Sequence, residues 1–417
     1  MQQKITYAGT VSRSFAEGSE LLGQLADLSV SAKQVERVTR RIGQERVAER
    51  DVEVTAYQAL PLVEKFAVPA RVKPPDLAVV MVAGGRLQIL DRTAPPVANP
   101  PPAEGAAAAE DWDEEKVPSG HWREDKVGLL LTMHSEVSVT DPCPDIPPAF
   151  VDAGRIPELV RELSRRVKQA EDVTEPAAPS ETTPEPPPAE ATYQPPQVER
   201  RQVLASRLTW PQFAPMVAMA AWAWGFQGAA RRAFVGDGSA NNWRLQRRFF
   251  GSFVAILDFI HALSYVYAAA TAALSRAAGW ACYRQWIEWV WQGKVTPVIV
   301  ALEERQAELG LPEEGEPETS PRQVVARTLN YLRNQQDKMH YDEYRRQGLP
   351  ITSSLMESVV KQVNRRVKGT EKFWSEEGAE AILQLRADQL SDDQPLEAFW
   401  QRRQEAATGQ RRYRPAA

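Results

Sequence analysis

Three carboxylates and a histidine stand in this chain where chemistry could be done. In RRAFVGDGSANN, Asp237 ends an apolar stretch and is followed by glycine and a helix-forming run. A carboxylate held at a strand end is a good ligand for a hard cation such as Mg²⁺. The same residues also fit an Asp-Gly turn in which Asp237 caps the next helix. In ITSSLMESVVKQVNRRVKG, Glu357 lies in the first turn of an expected helix. It could bind a metal there or, three residues after Ser354, complete a capping box. VAILDFIHAL puts Asp258 at the end of another strand and His261 one turn later. The two are candidate accessory residues of a site, or else a turn residue and a core histidine. Downstream of Glu357 comes a basic set: Lys361, Arg365, Arg366, Lys368 and Lys372. Lys361, Arg365 and Lys368 recur at helical spacing, which puts positive charge on one face beside the carboxylate and suits a phosphodiester backbone.

Strands and helices must position these groups. LAVVMVAGGRLQIL, from Leu77 to Leu90, reads as a strand, a turn at Gly84-Gly85 and a second strand. Strands are expected at 77–83, 86–90, 126–132, 202–206, 233–237 and 254–258, and helices at 211–231, 239–250 and 260–278. From about Ala281 to Arg346 the chain reads as helical and Trp-rich, so the architecture is α/β with a helical block inserted late. Trp286, Trp289 and Trp291 are expected to pack in the core. The first 70 residues read as helices. SELLGQLADLSVSAKQVERVTRRIG has the outline of a helix-turn-helix, with Ser31 capping the second helix. Lys33, Arg37 and Arg40 would then face DNA; an ordinary helical hairpin is the alternative.

Composition narrows the classes. The 417 residues suffice for two or three domains. Two cysteines, Cys143 and Cys282, and four scattered histidines argue against a disulfide framework or a structural zinc site, and point to a reducing cytoplasm. The apolar stretches 214–230 and 253–281 are too short or too interrupted for membrane spans. No P-loop, GxSxG, HExxH or GxGxxG motif is present. Residues 93–120 and 171–199 read as Pro-rich acidic linkers, the second as disordered. The second carries seven acidic residues and no Lys or Arg, and setting it aside moves the formal charge from −5 to +2. The acidic balance therefore does not exclude a DNA partner. The linkers divide an α/β core into 71–92, 121–170 and 200–278. The helical block 279–347, a C-terminal basic part 348–400 and a basic tail 401–417 follow.

Several long stretches together, VAGGRLQIL, EDKVGLLLTM with DPCPDIPPAFV, AFVGDGSANNWRLQRRFFGSFVAILDFIHAL and MHYDEYRRQGLPITSSLMESVVKQVNRRVKGTEKFW, resemble bacterial insertion-sequence transposases of the DDE type. The nearest group is the Kra-type insertion-sequence family, and the resemblance runs from about Glu17 to Trp400, sparing the linkers. It implies an RNase H-like mixed sheet with an all-helical insertion, and a dimer or higher assembly on double-stranded DNA. It also implies two-metal phosphoryl transfer with Mg²⁺ or Mn²⁺. Asp237 matches the second catalytic aspartate and Glu357 the glutamate. The first aspartate belongs in V-D-G-G-R, where this chain has Val82-Ala83-Gly84-Gly85-Arg86. Thr352 and Ser354 stand where the family often has glycines. A methyl group cannot ligate Mg²⁺, and Asp76 and Asp91 lie too far along the chain to substitute. Loss of normal strand transfer is therefore expected, by a change that needs one nucleotide. A non-catalytic DNA-binding derivative is the alternative.

Overall fold

The apolar side chains of residues 77–82, 127–131 and 233–235 are buried together, and their strands assemble one sheet. The computed structural model describes residues 1–90, 121–171, 193–369 and 372–408. Most of both expected linkers and the end of the basic tail lie outside them. The helices before the sheet are α1 (Gln2–Val11), α2 (Phe15–Ala26), α3 (Ala32–Ala59) and the short α4 (Leu62–Phe66). Then come β1 (Leu77–Ile89), β2 (Trp122–His134), α5 (Arg155–Glu171), β3 (Gln197–Ser206), α6 (Trp210–Ala223), β4 (Arg231–Gly236) and α7 (Ala240–Phe249). β5 (Val254–Leu257) and α8 (Phe259–Thr271) complete this alternation.

The sheet order is β3-β2-β1-β4-β5. β1, β2 and β3 are antiparallel neighbours, and β4 and β5 run parallel to β1. The chain is thus mixed α/β with a mixed open sheet. A helical block follows: α9 (Arg276–Trp291), α10 (Val295–Leu309), α11 (Pro321–Gln335) and α12 (Tyr341–Arg346). Then α13 (Ser354–Val367), a two-residue strand β6 (Phe373–Trp374) that pairs in parallel with the end of β1, α14 (Glu376–Leu390) and α15 (Pro395–Thr408) close the described chain.

Three expectations need correction. The Gly84-Gly85 hairpin does not exist: β1 runs unbroken for 13 residues and keeps register with β2 from Leu77↔Met133 to Gln88↔Trp122. The paired glycines serve close approach instead. A Cβ on Gly85 would lie 2.8 Å from the Asp125 carboxylate that crosses over it. The helix expected at 211–231 stops at Ala223, because Gly225 turns left-handed (φ 69°) and β4 begins at Arg231. The helix expected at 260–278 stops at Thr271, and α9 restarts behind its Ser275 cap. Trp286 and Trp291 are buried in the core, as their pattern indicated.

The N-terminal helices form part of the framework. α3 buries Val35, Thr39, Ile42, Gly43, Arg46, Arg50 and Tyr57, one stripe at helical spacing. Gly43 lets it press on α14, since a Cβ there would meet Ala381 at 2.6 Å. Arg46–Asp388 (3.0 Å) and Arg50–Glu380 (2.7 Å) pair across the same contact while nearly excluded from water. The helix-turn-helix outline survives locally: Ser31 caps α3 by accepting from the Gln34 N–H. The second helix, however, is 28 residues long and most of it is committed to packing.

Candidate functional site

Parallel pairing carries β1 and β4 side by side to Met81↔Val235. Two residues further along each strand stand Ala83 and Asp237, on the same face by the two-residue period. Asn242 of α7 ties them: its Nδ2 donates to Asp237 Oδ1 at 2.8 Å and to the Val82 carbonyl at 3.4 Å. The Ser239 N–H also reaches Asp237 Oδ1 at 2.9 Å. Asp237 therefore closes a turn, as one reading of the sequence had it, but α7 is capped at Ser239 rather than by the carboxylate.

The helical block holds this turn from outside. Tyr331 of α11 donates its hydroxyl to the Asp237 carbonyl (2.9 Å), and Gln335 Nε2 donates to the Gly238 carbonyl (3.3 Å). Gln335 is itself fixed by the Trp243 indole N–H (2.8 Å). Gly238 has φ 96°, and a Cβ on it would lie 2.8 Å from the Tyr331 ring, so glycine is required twice over. Tyr331 stacks on Tyr265 with centroids 3.8 Å apart. Sequence spacing gave no sign of Tyr331 or Gln335, because each lies more than 90 residues from the turn it supports.

Glu357 is not a capping-box residue. α13 starts at Ser354 with Ser353 as its N-cap, so Glu357 is the fourth helical residue, and its N–H makes an ordinary helical bond to Ser353 O (3.1 Å). Asp258 fixes the start of this helix. Fully buried, it accepts from the Ser353 N–H at 2.9 Å, from Ile260 N–H at 3.4 Å and from His261 Nδ1 at 2.5 Å. Burial favours the neutral acid, but these bonds outweigh it and hold Asp258 below the usual carboxylate range. So enclosed, Asp258 is a positioning group and not a metal ligand. Burial likewise opposes a charge on His261. The bond and charge of Asp258, joined by the charges of Asp237 and Glu357, push it up to about 9. His261 is thus held protonated at neutral pH, paired with Asp258 and within electrostatic reach of both carboxylates.

The donor set does not fit a two-Mg²⁺ centre. Among the described residues no three His, Cys, Asp or Glu side chains gather to hold a metal ion. Asp237 and Glu357 offer two carboxylates, His261 brings a positive charge instead of a lone pair, and Ala83 puts a methyl group in the third place.

The expected DNA-contacting residues separate into kinds. Arg366 is a correction: it is buried, donates to Gly9 O (3.0 and 2.9 Å), and lies between the rings of Phe15 (4.5 Å) and Trp374 (5.1 Å). Burial, with repulsion from Arg386, lowers it to about 10. It fastens α1 and α2 to α13. Lys368 is half-buried over Trp122. Lys361 is exposed but pairs with Glu162 (3.6 Å), and Arg365 and Arg37 are exposed. Lys33 and Arg40 both pair with Glu36, at 2.9 and 3.0 Å. Lys372 donates to the carbonyls of Arg365 and Arg366, at the C-terminal end of α13. No described helix is long and apolar enough to cross a membrane. No protein-family model matches the chain, and no curated protein matches its sequence.

Proposed function

We propose that the chain is a DNA-binding protein built as a DDE-type insertion-sequence transposase, with an RNase H-like core and a catalytic site one carboxylate short. The observation that carries the reading is that Ala83 and Asp237 each stand two residues past the last paired position of the neighbouring parallel strands β1 and β4. Asn242 bridges from Asp237 Oδ1 to the Val82 carbonyl, and the charges of Asp237 and Glu357 both reach His261. The strand order and the helical block between α8 and α13 support it. In an intact site three carboxylates would hold two Mg²⁺ or Mn²⁺ ions, which supply the Lewis acidity for phosphoryl transfer. This chain's own residues keep Asp237 and Glu357 oriented and neutralise part of their charge through His261. It would work in the cytoplasm on double-stranded DNA ends, as a dimer or higher assembly.

Ala83 favours a second reading, a non-catalytic derivative that still binds related ends. One experiment separates the two. Duplexes bearing the terminal inverted repeats that flank the coding sequence are incubated with Mg²⁺ or Mn²⁺ and either the chain as it stands or its Ala83→Asp variant. Cleavage by the variant alone is expected. Equal cleavage by both would remove Ala83 from the argument. Binding without cleavage by either supports the derivative, and loss of all salt-sensitive binding removes both readings.

A further inference from the structure

Four cations from separate parts of the chain meet around the last turn of α13. Arg386 of α14 donates Nε to the Gln362 carbonyl at 3.2 Å, and Lys372 Nζ reaches the Arg365 and Arg366 carbonyls at 3.3 Å each. Arg13, between α1 and α2, offers its carbonyl to Arg366 at 3.5 Å, so its exposed side chain starts beside the same turn. Arg365 points outward from it. Among the described residues none of Arg13, Arg365, Lys372 and Arg386 forms an ion pair. Lys33, Arg40, Lys361, Arg402 and Arg403 all do. Glu17, whose charge reaches Lys372, has its carboxylate engaged by the Arg13 backbone N–H at 2.6 Å.

Among the described residues Glu17 is the one carboxylate whose charge reaches this group, which leaves an excess of like charges that repel, and a polyanion relieves that repulsion. The carbonyls at the end of α13 account for only some of the donors. Arg386 is anchored through Nε, and Arg365 and Arg13 keep whole guanidinium forks for oxygens that do not belong to this chain. Exposed Tyr7 stands near enough to Arg386 to affect its charge, and tyrosine also contacts phosphate and sugar.

We propose that Arg13, Arg365, Lys372 and Arg386 form the surface that seats the phosphate backbone of duplex DNA, in place of the start of α3. This rests on the DNA-binding part of the proposed function and needs none of its catalysis. It moves the contact to where the N-terminal helices, α13 and α14 join. Lys33 and Arg40 at the start of α3 share the single charge of Glu36.

The test is fluorescence anisotropy of a labelled duplex over a salt series. Wild type is compared with Arg13→Ser/Arg365→Ser/Arg386→Ser and with Lys33→Ser/Arg37→Ser. Each lost phosphate contact should lower the log–log salt slope by about 0.9. The triple variant should therefore lose between two and three, with a melting midpoint lowered only by loss of the Arg386–Gln362 bond, and the α3 variant little. Arg365→Gln alone, at an exposed position, should lose about one and guards against misfolding of the triple variant. An unchanged slope in the triple variant, with loss in the α3 variant, overturns the proposal. Preference for an acidic polypeptide over duplex overturns it as well. No salt-dependent DNA binding by wild type would instead defeat the DNA reading beneath it.

Discussion

On the proposed reading, a carboxylate placed at position 83 should complete a site that divalent metal stabilises. In Ala83→Asp the new side chain leaves β1 on the face of Asp237, at a half-buried position whose neighbour on that face, Gly85, lies under the Asp125 carboxylate. Without metal, the variant gathers a third negative charge with Asp237 and Glu357. Two like charges about 4 Å apart cost up to about 4 kcal/mol at an effective dielectric of about 20, and the imidazolium of His261 offsets part of that. The metal-free variant should therefore melt below wild type. With divalent metal the sign reverses, since each carboxylate–cation attraction is twice the carboxylate–carboxylate repulsion at equal distance. A net gain of about 3 kcal/mol corresponds to roughly 100-fold tighter binding. At metal concentrations near 100 times the variant's Kd this adds about 2.7 kcal/mol of stability. The assay is thermal melting at stepped Mn²⁺ and Mg²⁺, with free Mn²⁺ counted by electron paramagnetic resonance. It requires no knowledge of the DNA ends. If Ala83→Asp gains no more stability from Mn²⁺ than wild type does, position 83 is not part of a metal site and the reasoning fails.

Three further outcomes follow from the same structure. Tyr331→Phe keeps the stack on Tyr265 but loses the 2.9 Å bond to the Asp237 carbonyl. In the Ala83→Asp background it should weaken Mn²⁺ binding several-fold while lowering stability by only about 1 kcal/mol; unaltered Mn²⁺ binding would show that the helical block does not position Asp237. Asp125 is fully buried, no donor from another residue reaches either oxygen, and burial pushes it up to about 7. Its folded form resists ionisation, so stability should fall as pH rises from about 4 to about 7, by at most on the order of 4 kcal/mol. Asp125→Asn should remove that fall, melting higher than wild type at pH 8 and alike at pH 4, with the smaller fall from Asp388, raised to about 6, remaining. Parallel melting curves for the two proteins over that range would contradict this. Arg366→Ala empties the space between Phe15 and Trp374 and should cost about 3 kcal/mol in chemical denaturation, with lysine a poor replacement for a planar stacked group. Weakened DNA binding at unchanged stability would return Arg366 to the DNA surface.

Arg365 and Arg366 show what sequence could and could not reveal. They are adjacent, equally basic and indistinguishable by composition, yet one is exposed and the other is among the most enclosed cations of the fold. On a helix, successive residues are turned by about 100°, so only the location of the partner decides which one is buried. That partner, the α1–α2 junction, lies some 350 residues away in the chain. The strands were legible because their periodicity is local, and Asp237, Asp258 and Glu357 because strand ends and first helical turns are local too. The unbroken strand through Gly84-Gly85 is hidden from the sequence for the complementary reason. Two glycines allow a hairpin locally, but β2 continues in register past them and the side chain of Asp125 fills the space they leave. The same dependence on distant partners governs function in this site. Asp237 and Glu357 are placed by Tyr331, Gln335 and Asp258, none of which carries a local signature of that role. On the proposed reading, a scaffold that keeps all of these contacts around Ala83 keeps the geometry of a catalytic site without its charge, which is why a single side chain should suffice to restore metal binding.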